Sequence, residues 1–113
     1  MAKPEFVISD PLPGFRLVKF VIPGGVASPR EFAEAVSEIS HRLPGPHCLL
    51  INGKGTIWGY GMIVHAAHPT RAIGTFDPAR GSYVIVQSHV EDMTVGQELP
   101  DPYDQLASGS NKE

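Results

Sequence analysis

Four apolar residues in a row, Cys48-Leu49-Leu50-Ile51, stand between Pro44-Gly45-Pro46 and Asn52-Gly53-Lys54-Gly55. The run is too short for a helix and apolar on both faces, which is the pattern of a central parallel strand covered on both sides. Parallel strands need crossover connections, and the flanking segments supply them. On the N-terminal side Ser28 is placed as an N-cap, Pro29 at the first helical position and Glu31 at the third, a capping box. From there Phe32, Val36, Ile39 and Leu43 fall on one face while Glu31, Glu34, Ser37, Glu38 and Arg42 face elsewhere, so the spacing predicts an amphipathic helix lying on a sheet. On the other side Ile57 to His68 is apolar almost all round, with Gly59 and Gly61 where a neighbouring backbone could approach closely. That predicts a buried helix, in part at a subunit interface, ended by Pro69.

The remaining strands are set off by turn residues. Glu5 to Ile8 stops at Asp10-Pro11-Leu12-Pro13-Gly14, and Phe15 to Ile22 stops at Pro23-Gly24-Gly25. Ala72 to Phe76 and Tyr83 to Gln87 flank the turn Asp77-Pro78-Ala79-Arg80-Gly81-Ser82. The order is β-β-α-β-α-β-β, and right-handed crossovers give a small Rossmann-like α/β domain with a partly parallel sheet and two helices. With 113 residues, 42% of them apolar and 19% charged, the expectation is a single domain over 1–99. Residues 100–113, with Asp101-Pro102 and a Ser108-Gly109-Ser110-Asn111 end, read as a flexible tail. Gly and Pro together are about a fifth of the chain, which argues against an all-helical fold.

A net charge of −3 argues against wholesale phosphate-backbone binding, so DNA is not an expected partner and an anionic ligand must sit at a local site. No apolar run approaches the ~18 residues of a membrane span, and Met1-Ala2-Lys3-Pro4 lacks a signal peptide's apolar segment, so the expected location is cytoplasmic. Cys48 is the sole cysteine; an internal disulfide is impossible and burial is its expected role.

In open α/β sheets, ligands bind beyond the carboxyl ends of the parallel strands. The loops there are Pro23 to Ser28, Asn52 to Thr56, and Asp77 to Ser82. Asn52, Gly53, Lys54 and Gly55 offer amides, a helix N-terminus and a lysine, as a phosphate or ribose phosphate needs, although two glycines in a strand-to-helix turn also read as turn chemistry alone. Arg80 belongs to the same end. His65 and His68, at i and i+3 near the end of the second helix, share one face and could chelate a metal or simply favour the negative end of the helix dipole. If the last strand is antiparallel, His89 and Glu91 arrive beside them. Two poles result: Lys54, Asp77 and Arg80 at one, and His65, His68, His89 and Glu91 at the other, a set suited to a divalent ion such as manganese. A ligand gripped at the first pole reaches the second only on another subunit, so head-to-tail stacking of dimers is expected. His41, His47 and Arg71 read as surface or flanking residues.

Asn52-Gly53-Lys54-Gly55-Thr56-Ile57-Trp58, His65-Ala66-Ala67-His68, Phe76-Asp77-Pro78, Val86-Gln87-Ser88-His89 and Val95-Gly96-Gln97, in this order, resemble the small CRISPR-associated proteins of the Csx-three type. The resemblance implies a fold similar to the CRISPR-associated Rossmann-fold ligand-binding domains. It implies a prokaryotic ring nuclease that cleaves cyclic tetra-adenylate, the second messenger of type III CRISPR immunity, with help from manganese. It also implies homodimers that sandwich the ligand between two dimers. His68 would be the principal catalytic histidine, Asp77 the acidic catalytic residue, and His65 and His89 accessory. Thr56 stands where the family usually has Pro, and Ala79 where it has the Arg that follows Asp-Pro, so that Arg80 is offset by one position. The chemistry suits these residues: in-line cleavage needs a base that exchanges protons near neutrality and positive charge on the phosphate, from His68 and from Lys54, Arg80 or manganese. A sensor that binds cyclic oligoadenylate or a nucleotide without cutting it, and a manganese-dependent exonuclease that deadenylates RNA 3′ ends, are the alternatives.

Overall fold

The structure is a computed structural model and describes residues 3–102. Strands β1 (Glu5–Ser9), β2 (Phe15–Val21), β3 (Cys48–Gly53), β4 (Ala72–Asp77), β5 (Ser82–Ser88) and β6 (Glu98–Pro100) alternate with helices α1 (Pro29–Ile39), between β2 and β3, and α2 (Ile57–Ala66), between β3 and β4. The predicted order holds through β5. β6 lies beyond it, on three residues whose sequence carries no alternation, and is recruited by antiparallel pairing of Val84 with Glu98 and Tyr83 with Leu99. The expected tail falls, beyond residue 102, outside the described residues.

All six strands form one sheet in sequence order, with β2, β3 and β4 parallel and the outer pairings antiparallel. Both crossovers step the same way across the sheet, and two right-handed steps in one direction put both helices on one face. The packing agrees. Phe32 and Val36 of α1 and Ile63 of α2 share a core with Val18, Phe20, Leu49, Ile51 and Ile73. The alternate residues Leu17, Cys48, Leu50, Ala72, Tyr83 and Ile85 form a second core on the other face, joined by Met93 and Leu99. Strand order never reverses, so this mixed two-layer α/β sheet has no switch point and differs there from a doubly wound Rossmann arrangement.

β3 is buried on both faces from Cys48 to Ile51, as its apolar run requires. The Cys48 thiol, fully enclosed, is pushed up to about 11 by that burial, against a small opposing pull from Arg71. α1 begins with the capping box read from the sequence: the Glu31 N–H donates to Ser28 Oγ at 3.1 Å and the Ser28 N–H to Glu31 Oε1 at 2.9 Å. α2 departs from expectation. Gly59 and Ile63 face inward, but Ile57 is 92% exposed and His65 is open, because the single helical layer leaves the outer side of α2 uncovered within one protomer.

Candidate functional site

The Lys54 turn is shaped by one aromatic ring. A Cβ at Gly53 would lie 2.5 Å from Phe20, and one at Gly55 2.6 Å from it, so the backbone folds down on the ring only because both residues are glycine. Phe20 meets Phe32 edge-on at 5.5 Å and Tyr60 at 5.5 Å. The Tyr60 hydroxyl then fastens the strand end, accepting the Gly53 N–H at 3.0 Å and donating to the Gly53 carbonyl at 2.5 Å. Burial pushes that phenol up, and the Gly53 bond opposes it. Thr56 caps α2 through Oγ1, which accepts the Gly59 N–H at 3.2 Å, so the threonine supplies what a proline at that place would not. The Ile57 and Trp58 amides in the first turn have no intrahelical acceptor. Asn52 differs from its neighbours: its Nδ2 donates to Tyr83 Oη at 3.0 Å, which commits that donor to the fold. A cleft of about 490 Å³ opens between this turn and Phe76 and Pro78.

Asp77, at the end of β4, organises its own turn. Its Oδ1 accepts the Ala79 N–H at 3.0 Å and its carbonyl accepts the Arg80 and Gly81 N–H groups. Arg80 lies between two carboxylates, with Nε 3.5 Å from Asp77 Oδ2 and Nη1 3.1 Å from Glu98 Oε2. Both pairs are solvent-exposed and hold Arg80 loosely, at about 0–1 kcal/mol each. Glu98, which also accepts the Ser82 hydroxyl at 3.1 Å, is a member of this cluster that the sequence does not reveal, because only the β5–β6 pairing brings it here.

The second pole gathers where β4 begins. His89 Nε2 lies 2.9 Å from the His68 carbonyl oxygen, and Gln87 Nε2 donates to the same oxygen at 2.7 Å. A carbonyl only accepts, so His89 carries a proton on Nε2 and leaves Nδ1 free. The His68 and His89 rings stand edge-on at 6.4 Å. The His89 N–H donates to the Arg71 carbonyl at 3.0 Å, which ties the loop after β5 to the start of β4. Arg71 is more than a flank: it pairs with Asp92 at 3.3 Å. His65 and His68 border a shallow cleft of about 650 Å³ with Val64, Thr75, Val86 and Gln87.

Antiparallel β5 thus delivers His89 to His68, as the strand directions predict. Glu91 does not join them: it is exposed, and among the described residues no hydrogen bond or ion pair links it to the three histidines. Nor, among the described residues, do three His, Cys, Asp or Glu side chains come together as a metal-binding group. The set His65, His68, His89 and Glu91 is therefore not a ready manganese site within one protomer.

The poles are well apart. The ten residues of α2 rise about 15 Å, and the five steps from Ala72 to Asp77 along β4 cover about 17 Å. His68 and Asp77 accordingly stand at opposite ends of the domain, and so do His68 and Lys54.

Residues 33–100 match a protein family described as CRISPR-associated protein (Cas_csx3). A protein of Aquifex aeolicus (strain VF5) that carries the name "Uncharacterized protein" is 46% identical over 48 residues, covering 42% of this chain and 43% of the relative. The match thus spans less than half of that relative's length.

Proposed function

The chain belongs to the Cas_csx3 family of CRISPR-associated proteins, and from that premise we propose that it is a ring nuclease that cleaves cyclic tetra-adenylate and so switches off type III CRISPR signalling in the prokaryotic cytoplasm. Lys54 and the first amides of α2 hold a phosphate of the ring on one copy, and His68 of a facing copy, in a head-to-tail stack of dimers, performs the proton transfer. The ribose 2′-hydroxyl gives its proton to His68 as its oxygen bonds to phosphorus. The bond from phosphorus to the 5′-oxygen breaks, that oxygen takes a proton from water, and protonated His68 returns its proton to the hydroxide so formed, leaving a 2′,3′-cyclic phosphate end and a 5′-hydroxyl. Positive charge at Lys54 offsets the charge that builds on the phosphate. Asp77 serves by shaping the turn that presents Arg80. No step runs through manganese, since the histidines and Glu91 do not gather within one protomer.

The observation that supports this reading is the separation of the two poles: the Lys54 turn and the exposed imidazoles of His65 and His68 lie at opposite ends of α2. No helix among the described residues is long and apolar enough to cross a membrane. The test incubates the chain with cyclic tetra-adenylate over a range of protein concentrations, in manganese or in chelator, and resolves the products. Linear adenylates forming at a rate that rises more steeply than first order in protein are expected. Turnover strictly proportional to protein overturns the shared site. Stoichiometric binding without product makes the chain a sensor, and preference for a linear 3′ adenylate tail makes it an exonuclease.

A further inference from the structure

On the other side of the Lys54 turn lies a cavity of about 740 Å³, within the ~300–1,000 Å³ range of small-ligand clefts. Its floor is Phe20, and its walls come from the loop after β2, through Gly25, Val26 and Ala27, and from Trp58 in the first turn of α2. Among the described residues, Lys54 is the only charged one of the lining, and Thr56 the only hydroxyl. The apolar walls face outward: Val26 is 56% exposed and Trp58 37%. Trp58 stands edge-on to Phe32 at 5.7 Å.

From this geometry we infer that the cavity is a base-stacking subsite for the adenine of the same adenylate ligand, with Trp58 as the stacking wall. The inference rests on the reading of the Lys54 turn as a phosphate site. Lys54 and Gly55 are walls shared by this cavity and by the cleft at Phe76 and Pro78. A nucleotide whose phosphate is held at Lys54 and the first α2 amides therefore has its base one ribose away, beside Trp58. The lining suits a planar, weakly polar group carrying one adjacent negative charge. Among the described residues it offers no carboxylate or amide side chain to read the edge of the base, so recognition here is by stacking, which any purine satisfies. Selectivity for adenine lies elsewhere in the ligand's contacts.

Trp58 is the only tryptophan of the chain, so fluorescence excited to the red of the tyrosine band reports on this cavity. Titration with cyclic tetra-adenylate or adenosine 5′-monophosphate quenches it, and ribose 5-phosphate or inorganic phosphate at equal concentration does not. Trp58→Ala weakens binding of cyclic tetra-adenylate about tenfold to a hundredfold, the usual effect of removing one stacking ring. Val26→Glu, at an exposed position that leaves the aromatic cluster intact, weakens it to a similar degree and guards against misfolding of the tryptophan variant. Equal quenching by ribose 5-phosphate, or wild-type affinity in both folded variants, overturns the subsite. If the ring is cut and the variants are unaffected, the subsite fails and the nuclease reading stands. If adenosine 5′-monophosphate quenches and the ring is bound but never cut, the subsite stands and the nuclease reading fails.

Discussion

His89 Nε2 donates to the backbone carbonyl of His68 at 2.9 Å, so the loop after β5 is latched to the end of α2 through the residue assigned the proton transfer. The bond leaves the His68 imidazole itself open to solvent. His68 is thus positioned by its main chain while its side chain stays available.

If capture and scission belong to different copies, two dead variants rescue each other. His68→Ala should lose about 10² to 10⁴ in turnover while still binding the ring, and Lys54→Ala should lose ring binding. Mixed, the His68→Ala copies present an intact Lys54 to the intact His68 of the Lys54→Ala copies, and cleavage should exceed the sum of the separate activities. A mixture no better than that sum, measured by product formation at equal total protein, counts against the shared site.

The glycines of the chain should separate by their surroundings. Gly55→Ala drives a methyl onto Phe20 at 2.6 Å and should destabilise by about 1–3 kcal/mol, with Phe20→Leu in the same chain restoring part of it. Gly61→Ala, in the middle of α2 with nothing within 4 Å of its Cβ, should stabilise by about 0.5–1 kcal/mol. Urea denaturation of the single variants checks both signs.

Acid sensitivity has one assignable source at the start of α1. The Ser28 N–H bonded to Glu31 holds that carboxyl below its ordinary 4.5, so the contribution is present above the unfolded value and is lost as pH falls through the lower, folded one. Glu31→Gln should flatten this part of the stability profile between pH 5 and the acid transition without moving the profile above neutrality. Ser28→Ala should cost about 0.5–2 kcal/mol at neutral pH. Denaturant midpoints across pH measure both.

Cys48 gives the opposite sign. Its thiol is raised from 9.0 to about 11 by burial, so the folded state holds that proton more tightly than the unfolded one. The stability involved is complete below pH 9 and declines as pH rises from 9 through 11. A thiol reagent at pH 8 should label the native chain only at the rate of unfolding, and promptly in denaturant. Fast native labelling contradicts the burial.

Much of this was legible in the residues because the signals were local. The Ser28 capping box, the two-faced apolar run of β3 and the proline and glycine stops are each decided within a few positions, and the strand directions that follow place His89 beside His68. What escaped depends on pairing or packing. β6 is three residues with no pattern of their own, so Glu98 and its grip on Arg80 were invisible. Gly53 and Gly55 looked like phosphate-turn glycines, yet it is Phe20, some thirty residues away in sequence, that demands them. The apolar circumference of α2 suggested burial, and a single helical layer leaves half of it outside.

Since the Lys54 turn opens α2 and His68 follows its last turn, the helix sets the distance between the turn proposed to grip the ring and the imidazole proposed to cut it. Removing a single residue from it would shorten the span by about 1.5 Å and swing the imidazole through about 100°. Length in this segment is thus as much a specification as any side chain it carries.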